Sequence, residues 1–193
     1  MFQTEQQDET ATAPRRRRRF LRSFIKNRDG ATVVEFALLA MPFSLLIFAI
    51  LESCLSFAAE EYMQNVTDDF ARQFRTGAIR PDKYTQAQFK DEFCKELQAF
   101  VGKNCPGLSI DLRNFATFED AAKLRTQVSN QGVVALTGGF KYEPGPSQSK
   151  NVLRVFYAWP VMTDVLRKRM STLSDNKTLH FATATWQNEP FDD

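Results

Sequence analysis

An apolar run from Ala31 to Leu51 constrains the fold of this chain more than any other feature, because it contains a single charged residue, Glu35. Its 21 residues would form an α-helix about 31 Å long, which matches the hydrocarbon core of a bilayer. Pro42 lies inside the run; it would break a helix in water, but membrane helices tolerate proline with a kink. The sequence therefore predicts one transmembrane helix.

The length of the run distinguishes an anchor from a secretory signal peptide. A signal peptide has a shorter apolar region that ends in a small-residue cleavage site. The residues after Leu51 offer only a weak match to such a site, at Ala58-Ala59, so cleavage there is the less favoured alternative. We expect the span to stay attached to the part of the chain that follows it.

The basic residues of the chain are concentrated before the apolar run. Residues 1–30 contain eight basic and four acidic side chains, including the run Arg15–Arg19, whereas the rest of the chain contains 17 basic and 19 acidic ones. A basic run is typical either of a nucleic-acid or nuclear-localisation patch or, directly before an apolar span, of a segment that stays in the cytoplasm. We favour the second interpretation because the span is so close. The mildly acidic remainder makes nucleic acid an unexpected partner.

After Leu51, apolar residues recur at a spacing of three or four as far as Gly77, a residue type that often ends helices. These positions are Leu55, Phe57 or Ala58, Tyr62, Val66, Phe70 and Phe74. The span and this amphipathic stretch are predicted to form one long helix, the second half of which packs on a domain.

A second helix is predicted from the pair Thr85 and Gln88, which has the spacing of a capping box. Gly102 lies beyond its expected end. The apolar residues that would share one face are Phe89, Phe93, Leu97 and Phe100. We expect these side chains to be core residues and not a ligand-binding cluster.

Strand patterns dominate the rest of the chain. Leu108, Ile110 and Leu112 alternate with polar residues after a Pro-Gly turn. Further strands are predicted over residues 132–142, 152–159 and 178–187, with a Pro- and Gly-rich loop at 143–147 and a short helix at 161–170. The predicted fold class is α+β, with helices followed by a small antiparallel sheet. The predicted domains are a basic leader, 1–30, a transmembrane helix, 31–51, and an extracytoplasmic domain, 52–193.

Three cysteines are present. Cys94 and Cys105 flank the end of the second predicted helix, in a part of the chain expected to be outside the cytoplasm, where disulfides persist. A bridge between them would stabilise the fold by roughly 3 kcal/mol; the alternative is two buried thiols. The spacing, with no histidine nearby, is not that of a zinc site. Cys54 lies at the outer edge of the span and is expected to behave as a small hydrophobic residue.

The start of the apolar run resembles the class III signal of type IV pilin-like proteins. The residues that carry this resemblance are Gly30-Ala31-Thr32-Val33-Val34-Glu35-Phe36-Ala37, and their particular form is similar to that of the TadE/TadG-like pseudopilins of Tad (Flp) pilus systems. The C-terminal stretch from Thr183 to Phe191 also resembles the ending of one branch of these proteins. One resemblance thus lies near the start of the chain and the other near its end.

The resemblance implies that a prepilin peptidase cuts between Gly30 and Ala31 and exposes the Ala31 amine. In pilins, the carboxylate five residues after the cut pairs with the new amine of a neighbouring subunit, and Glu35 occupies that position. Phe36 matches the aromatic residue beside it. The alternative to these assembly roles is that the Glu35 carboxylate lies at the membrane interface and reaches water, and that Phe36 faces lipid. The implied partners are the peptidase, other pilins or pseudopilins, the pilus assembly platform and inner-membrane lipid.

No motif of an enzyme site is present in the sequence. The single histidine, His180, falls in a β-rich run where a structural role is expected, and the nucleophile, phosphate-loop, dinucleotide and metal-ligand patterns are absent. We therefore expect no catalysis and no cofactor. The favoured function is that of a pseudopilin anchored in the inner membrane, with its N-terminus cytoplasmic and its C-terminal domain periplasmic. An uncleaved, signal-anchored binding or sensor module is the alternative, and an anchored enzyme is the least favoured.

Overall fold

A computed structural model describes residues 30–128, 134–136, 138–162, 167, 171–173 and 176–191. The chain divides into two compact units, and the boundary between them falls between Ile47 and Phe48. Each unit is described by itself. The predicted leader, apart from Gly30, lies outside the described residues.

The first element is helix α1, Ala31–Arg75, which continues through Pro42. This confirms the single long helix predicted from the sequence. The helix ends at Arg75, and Gly77 two residues later adopts a φ of +73° and donates its N–H to the carbonyl of Phe74 at 3.1 Å. A left-handed residue that follows the last turn is a common helix stop, and glycine adopts it without a steric penalty.

The buried face of α1 differs from the predicted one near Phe48. Leu55 and Phe57 are 54% and 65% exposed. The buried apolar residues of this helix are Ala59, Met63, Val66, Phe70, Ala71 and Phe74. Because each residue turns the helix by about 100°, a stripe that runs through Ala59 leaves Phe57 on the opposite side.

Helix α2, Gln86–Leu97, begins at the predicted capping box. The Thr85 side chain accepts a hydrogen bond from the Gln88 N–H, and the Gln88 side chain accepts one from the Thr85 N–H. Phe89, Phe93 and Leu97 are buried as predicted. Phe100 lies beyond the end of the helix, is 38% exposed, and packs its ring 5.1 Å from that of Tyr62.

The remaining elements form two small sheets. They are, in chain order, β1 (Leu108–Phe115), α3 (Phe118–Lys123), β2 (Thr126–Val128), β3 (Val134–Leu136), β4 (Tyr142–Glu143), β5 (Lys150–Pro160) and β6 (Lys177–Gln187). The larger sheet has the order β4-β1-β5-β6, and β2 and β3 form the smaller one. Both β1 and β6 are antiparallel to β5, with Leu108 opposite Tyr157 and Lys150 opposite Gln187. The α+β class is thus confirmed.

The sheet is mixed and not wholly antiparallel, because β4 runs parallel to β1. The buried side chain of Asp111 helps to hold β4 at the edge of the sheet. Its Oδ1 accepts hydrogen bonds from Arg113 Nε at 2.8 Å and from the Lys141 N–H at 2.9 Å. The Leu112 N–H donates in turn to the Lys141 carbonyl at 2.9 Å. A buried carboxylate therefore holds the residue before β4 against β1.

Two other predicted elements differ from the structure or fall outside it. In the predicted strand 132–142, the described residues form β3, then a turn at Gly138-Gly139, where both φ angles are positive, and finally the start of β4 at Tyr142. Residues 129–133 and 137 lie outside the described residues. Most of the helix predicted at 161–170 lies outside them as well.

The hydrophobic core brings together α1, α2 and one face of the larger sheet. At its centre, the ring of Phe70 lies 5.3 Å from Phe89, edge to face, and 5.2 Å from Phe93, stacked. The sheet contributes Leu108, Leu112, Leu153, Val155, Ala182 and Trp186, among others. Burial of such aromatic side chains provides much of the hydrophobic stabilisation of a small domain.

Candidate processing and assembly segment

Gly30 directly precedes α1 and is exposed. A Cβ at this position would meet nothing within 4 Å, and its φ is not among the positive ones. Neither the packing nor the backbone conformation of the described chain therefore requires a glycine here. The described residues thus give no reason for a glycine at this position.

Glu35 lies in the second turn of α1, with its side chain exposed. Side chains three or four residues away are the neighbours on a helix surface, and at Thr32, Leu38 and Leu39 none is basic. Within the described part of the chain, no ion pair or hydrogen bond involves this carboxylate. Phe36 beside it is 72% exposed.

The surface of α1 around and after Glu35 is apolar and uncovered. Val33, Leu39 and Met41 are each at least two-thirds exposed. Contiguous apolar surface of this extent is unfavourable in water, so lipid or another protein has to cover it. Among the described helices, α1 is the one long and apolar enough to cross a membrane, which is compatible with a single-pass anchor.

The disulfide lies in the second unit and joins Cys94, near the end of α2, to Cys105, just before β1. This is the pair that the sequence predicted. Both residues are buried, so the bridge secures the connection between helix and sheet inside the core. Cys54 is free and exposed.

His180 lies in β6, buried, with its Nε2 2.9 Å from the Oγ of the buried Ser56. The indole of Trp159 stacks on the imidazole at 5.3 Å. Burial lowers the pKa of His180, and the carboxylate of Glu60 opposes this shift only partly. A serine and a histidine at this distance can form a nucleophile and its base, but both are closed off from solvent, so the arrangement serves to join α1 to the sheet.

Asn188, in the C-terminal stretch, organises a buried polar network that the sequence did not reveal. Its Oδ1 accepts from Trp186 Nε1 at 2.8 Å and from Asn151 Nδ2 at 3.0 Å. Its Nδ2 donates to the carbonyls of Gly145 and Pro146 at 2.9 and 2.8 Å. The side chain thereby connects β6, β5 and the proline-rich loop.

The residues after Asn188 close the end of the long helix. The Glu189 N–H donates to the Arg75 carbonyl at 2.8 Å, one of the carbonyls that helix geometry leaves unpaired. The ring of Phe191 lies against Gly77 and beneath the guanidinium of Arg80, 4.9 Å away. The only sequence signal for these contacts was the resemblance of the C-terminal stretch, which carried no structural role.

The sequence-predicted residues thus fall into two separate places. Gly30 directly precedes α1 and Glu35 and Phe36 lie in its exposed first turns, while the two bridged cysteines lie in the core of the second unit. Within the described residues, no group of three or more His, Cys, Asp or Glu side chains is placed to hold a metal ion. The fold and this segment define an α+β protein with an exposed apolar N-terminal helix.

Residues 30–72 match the family model of TadE-like proteins. The resemblance seen in the sequence is therefore confirmed over this segment, which contains Gly30, Glu35 and Phe36. The match covers 43 of the 193 residues, and apart from Gly30 they all belong to α1. No curated protein matches the chain significantly, and neither does any solved structure.

Proposed function

We propose that this chain is a pseudopilin of a Tad pilus system, cut after Gly30 by a prepilin peptidase and active through contacts with other subunits. The observation that carries the proposal is the exposed carboxylate of Glu35, which has no partner in the described chain, within the segment that matches TadE-like proteins. A membrane anchor alone requires neither this carboxylate nor the glycine before it.

Processing accounts for Gly30. A residue without a Cβ lets the backbone approach a protease closely, and the described part of the fold makes no demand for glycine at this position. The cut removes the basic leader and leaves a chain with 17 basic and 19 acidic side chains. It also creates a positive charge at the Ala31 amine.

The new amine supplies a partner for Glu35. Removal of one member of a buried ion pair typically costs about 3–5 kcal/mol, because the other charge is left unpaired in a medium of low dielectric. Pairing of the Glu35 carboxylate with the Ala31 amine of a neighbouring subunit avoids this cost. The two groups meet only when the two helices are aligned at one particular axial offset. The pair therefore selects the register of assembly, and Phe36 packs beside it.

The charge pattern supports an orientation. The basic leader stays in the cytoplasm and the second unit is exported, which places the disulfide in an oxidising compartment. The partners are then the prepilin peptidase, other pilins or pseudopilins, the pilus assembly platform and the lipid of the inner membrane. An uncleaved, anchored binding or sensor module is the alternative.

Mass spectrometry of the protein from its native membrane tests the processing step. We expect an N-terminus at Ala31, and we expect Gly30→Leu to block the cut without disturbing the fold, since a Cβ there meets nothing within 4 Å. Gly102→Leu is the matched control, because Gly102 has equally open space. An intact leader in cells that contain the peptidase would exclude this function and favour the uncleaved module.

Glu35→Gln tests the assembly step separately. The variant keeps the size of the side chain and removes its charge, so we expect cleavage to continue and pilus output to fall. Glu61→Gln is the control, since Glu61 is also exposed on α1. Normal piliation by Glu35→Gln would refute the pairing.

A further inference from the structure

A groove of about 370 Å³ opens on the second unit, between the first turns of α1 in that unit and the end of β5. Its walls are almost entirely apolar. They consist of Phe48, Leu51, Glu52, Leu55, Trp159 and Met162. The volume is within the range of small-molecule sites in proteins, about 300–1,000 Å³.

The apolar walls of this groove are uncovered in the described chain. Phe48, Leu51 and Leu55 are each more than half exposed, and Met162 is 70% exposed. The Glu52 carboxylate accepts a hydrogen bond from the Met162 N–H, so the residues on the two sides of the groove are tied together. The groove is therefore a built feature with exposed apolar walls.

Trp159 forms the inner wall and is 8% exposed. Its indole Nε1 is buried and has no hydrogen-bond partner among the described residues. Buried N–H groups nearly always have a partner, and tryptophan is enriched at membrane interfaces, where its ring is covered by apolar groups and its N–H meets polar ones. Since this N–H is closed off, Trp159 offers the groove the apolar surface of its ring, which a ligand with an apolar chain can cover.

We infer that the groove holds the acyl chain of a membrane phospholipid. The inference rests on the membrane anchoring in the proposed function. If residues 31–51 fill the hydrocarbon core, then Leu55, four residues further along the same helix, lies about 6 Å beyond it, at the level of the lipid headgroups. Phe48 and Leu51, which line the groove, belong to this apolar run, and Leu55 follows its end.

The charge at the rim selects the part of the lipid that is recognised. Glu52 is the charged residue among those that line the groove, and a carboxylate repels a phosphate group. Recognition therefore falls on the acyl chain, not on an anionic headgroup. Binding should differ little between zwitterionic and anionic lipids and should depend little on salt.

The test is a titration of the full chain, in detergent micelles, with phospholipid brominated on its acyl chains, read by quenching of tryptophan fluorescence. Trp159 and Trp186 are the two tryptophans, and Trp186 is a core residue that stacks against Phe74. We expect saturable quenching that Trp159→Phe abolishes. Brominated phosphatidylglycerol and phosphatidylethanolamine should quench at similar mole fractions.

Leu55→Gln and Phe57→Gln form a matched pair, because both residues are exposed and close in height, but they lie on opposite sides of the helix. We expect Leu55→Gln to raise the lipid fraction at half-maximal quenching about three- to tenfold, as the loss of one leucine contact would. Phe57→Gln should leave that fraction unchanged.

Three outcomes would overturn the inference. The first is the absence of saturable quenching, which would mean that a partner protein covers the groove instead. The second is an equal shift of the half-maximal lipid fraction in Leu55→Gln and Phe57→Gln. The third is a strong preference for the anionic lipid, which would indicate phosphate recognition. Co-flotation of the full chain with vesicles reports the anchor separately. A chain that does not float contradicts the proposed function, whereas one that floats without quenching contradicts the groove alone.

Discussion

The Oγ of Ser56 lies 2.9 Å from Nε2 of His180, and this buried hydrogen bond joins α1 to β6 across 124 positions of the sequence. The two residues belong to elements at opposite ends of the domain sequence, so the bond forms only once the sheet has packed on the helix. Trp159 covers one face of the imidazole. The ring is therefore held in a site that favours its neutral form.

We expect the free energy of unfolding to decrease as the pH falls below about 6.5, the ordinary pKa of histidine. Burial lowers the pKa of His180 in the folded protein, so the unfolded chain binds the proton more tightly. The stability is fully present above the unfolded pKa and is lost as the pH falls from there toward the folded one. Urea denaturation of the full chain in micelles, at a series of pH values, measures this dependence.

The control for this experiment uses the fact that the chain contains one histidine. His180→Gln should be less stable at neutral pH and should lose the pH dependence in the window just below the ordinary histidine pKa. A dependence that persists unchanged in His180→Gln would show that other groups cause it.

Replacement of Cys94 and Cys105 together by serine should lower the free energy of unfolding by roughly 3 kcal/mol, because the unfolded chain gains the freedom that the bridge removes. Chemical denaturation of the full chain gives the difference. Cys54→Ser is the control and should have little effect, since Cys54 is free and exposed. Equal stability of the double variant and the natural chain would mean that the bridge contributes nothing.

Gly77→Ala should destabilise the fold by about 1–3 kcal/mol. Gly77 has a φ of +73°, and a Cβ there would lie 2.8 Å from Cδ1 of Phe191. Thermal denaturation compares it with two other glycines. Gly139→Ala has a similar φ, +76°, but open space, and so isolates the conformational cost, while Gly102→Ala has neither problem.

The three glycine variants should therefore rank in order, with Gly77→Ala the least stable and Gly102→Ala nearly unchanged. If Gly77→Ala and Gly139→Ala lose the same stability, the contact with Phe191 does not constrain Gly77. Phe191→Ala combined with Gly77→Ala should then recover nothing.

Asn188→Leu should cost at least about 2 kcal/mol, because it leaves the buried Trp186 indole N–H and two loop carbonyls without partners. Denaturation monitored by tryptophan fluorescence reports both the stability and the environment of Trp186. Glu189→Gln next to it removes only an exposed ion pair with Arg75, worth under about 1 kcal/mol. Equal losses in the two variants would contradict the buried network.

Local patterns accounted for much of the fold. The spacing of apolar residues predicted α1, and the capping box of Thr85 and Gln88 predicted the start of α2. The alternation of apolar and polar residues predicted β1. Each of these signals lies within a few residues of the structure that it predicts, because helix periodicity, capping and strand alternation are short-range effects. The predicted stripe failed at Leu55 and Phe57, where apolar residues surround the helix and periodicity no longer identifies one face.

The sequence by itself determined an apolar helix with one carboxylate near its start, the residues around Gly30 that resemble a processing signal, the α+β class and the pairing of the cysteines. The tertiary structure alone decided which side chains meet across the chain: Ser56 with His180, Asp111 with the residue before β4, and Phe191 with Gly77. Such contacts depend on the relative placement of distant elements in the folded chain, and a single sequence contains no periodic signal for that placement.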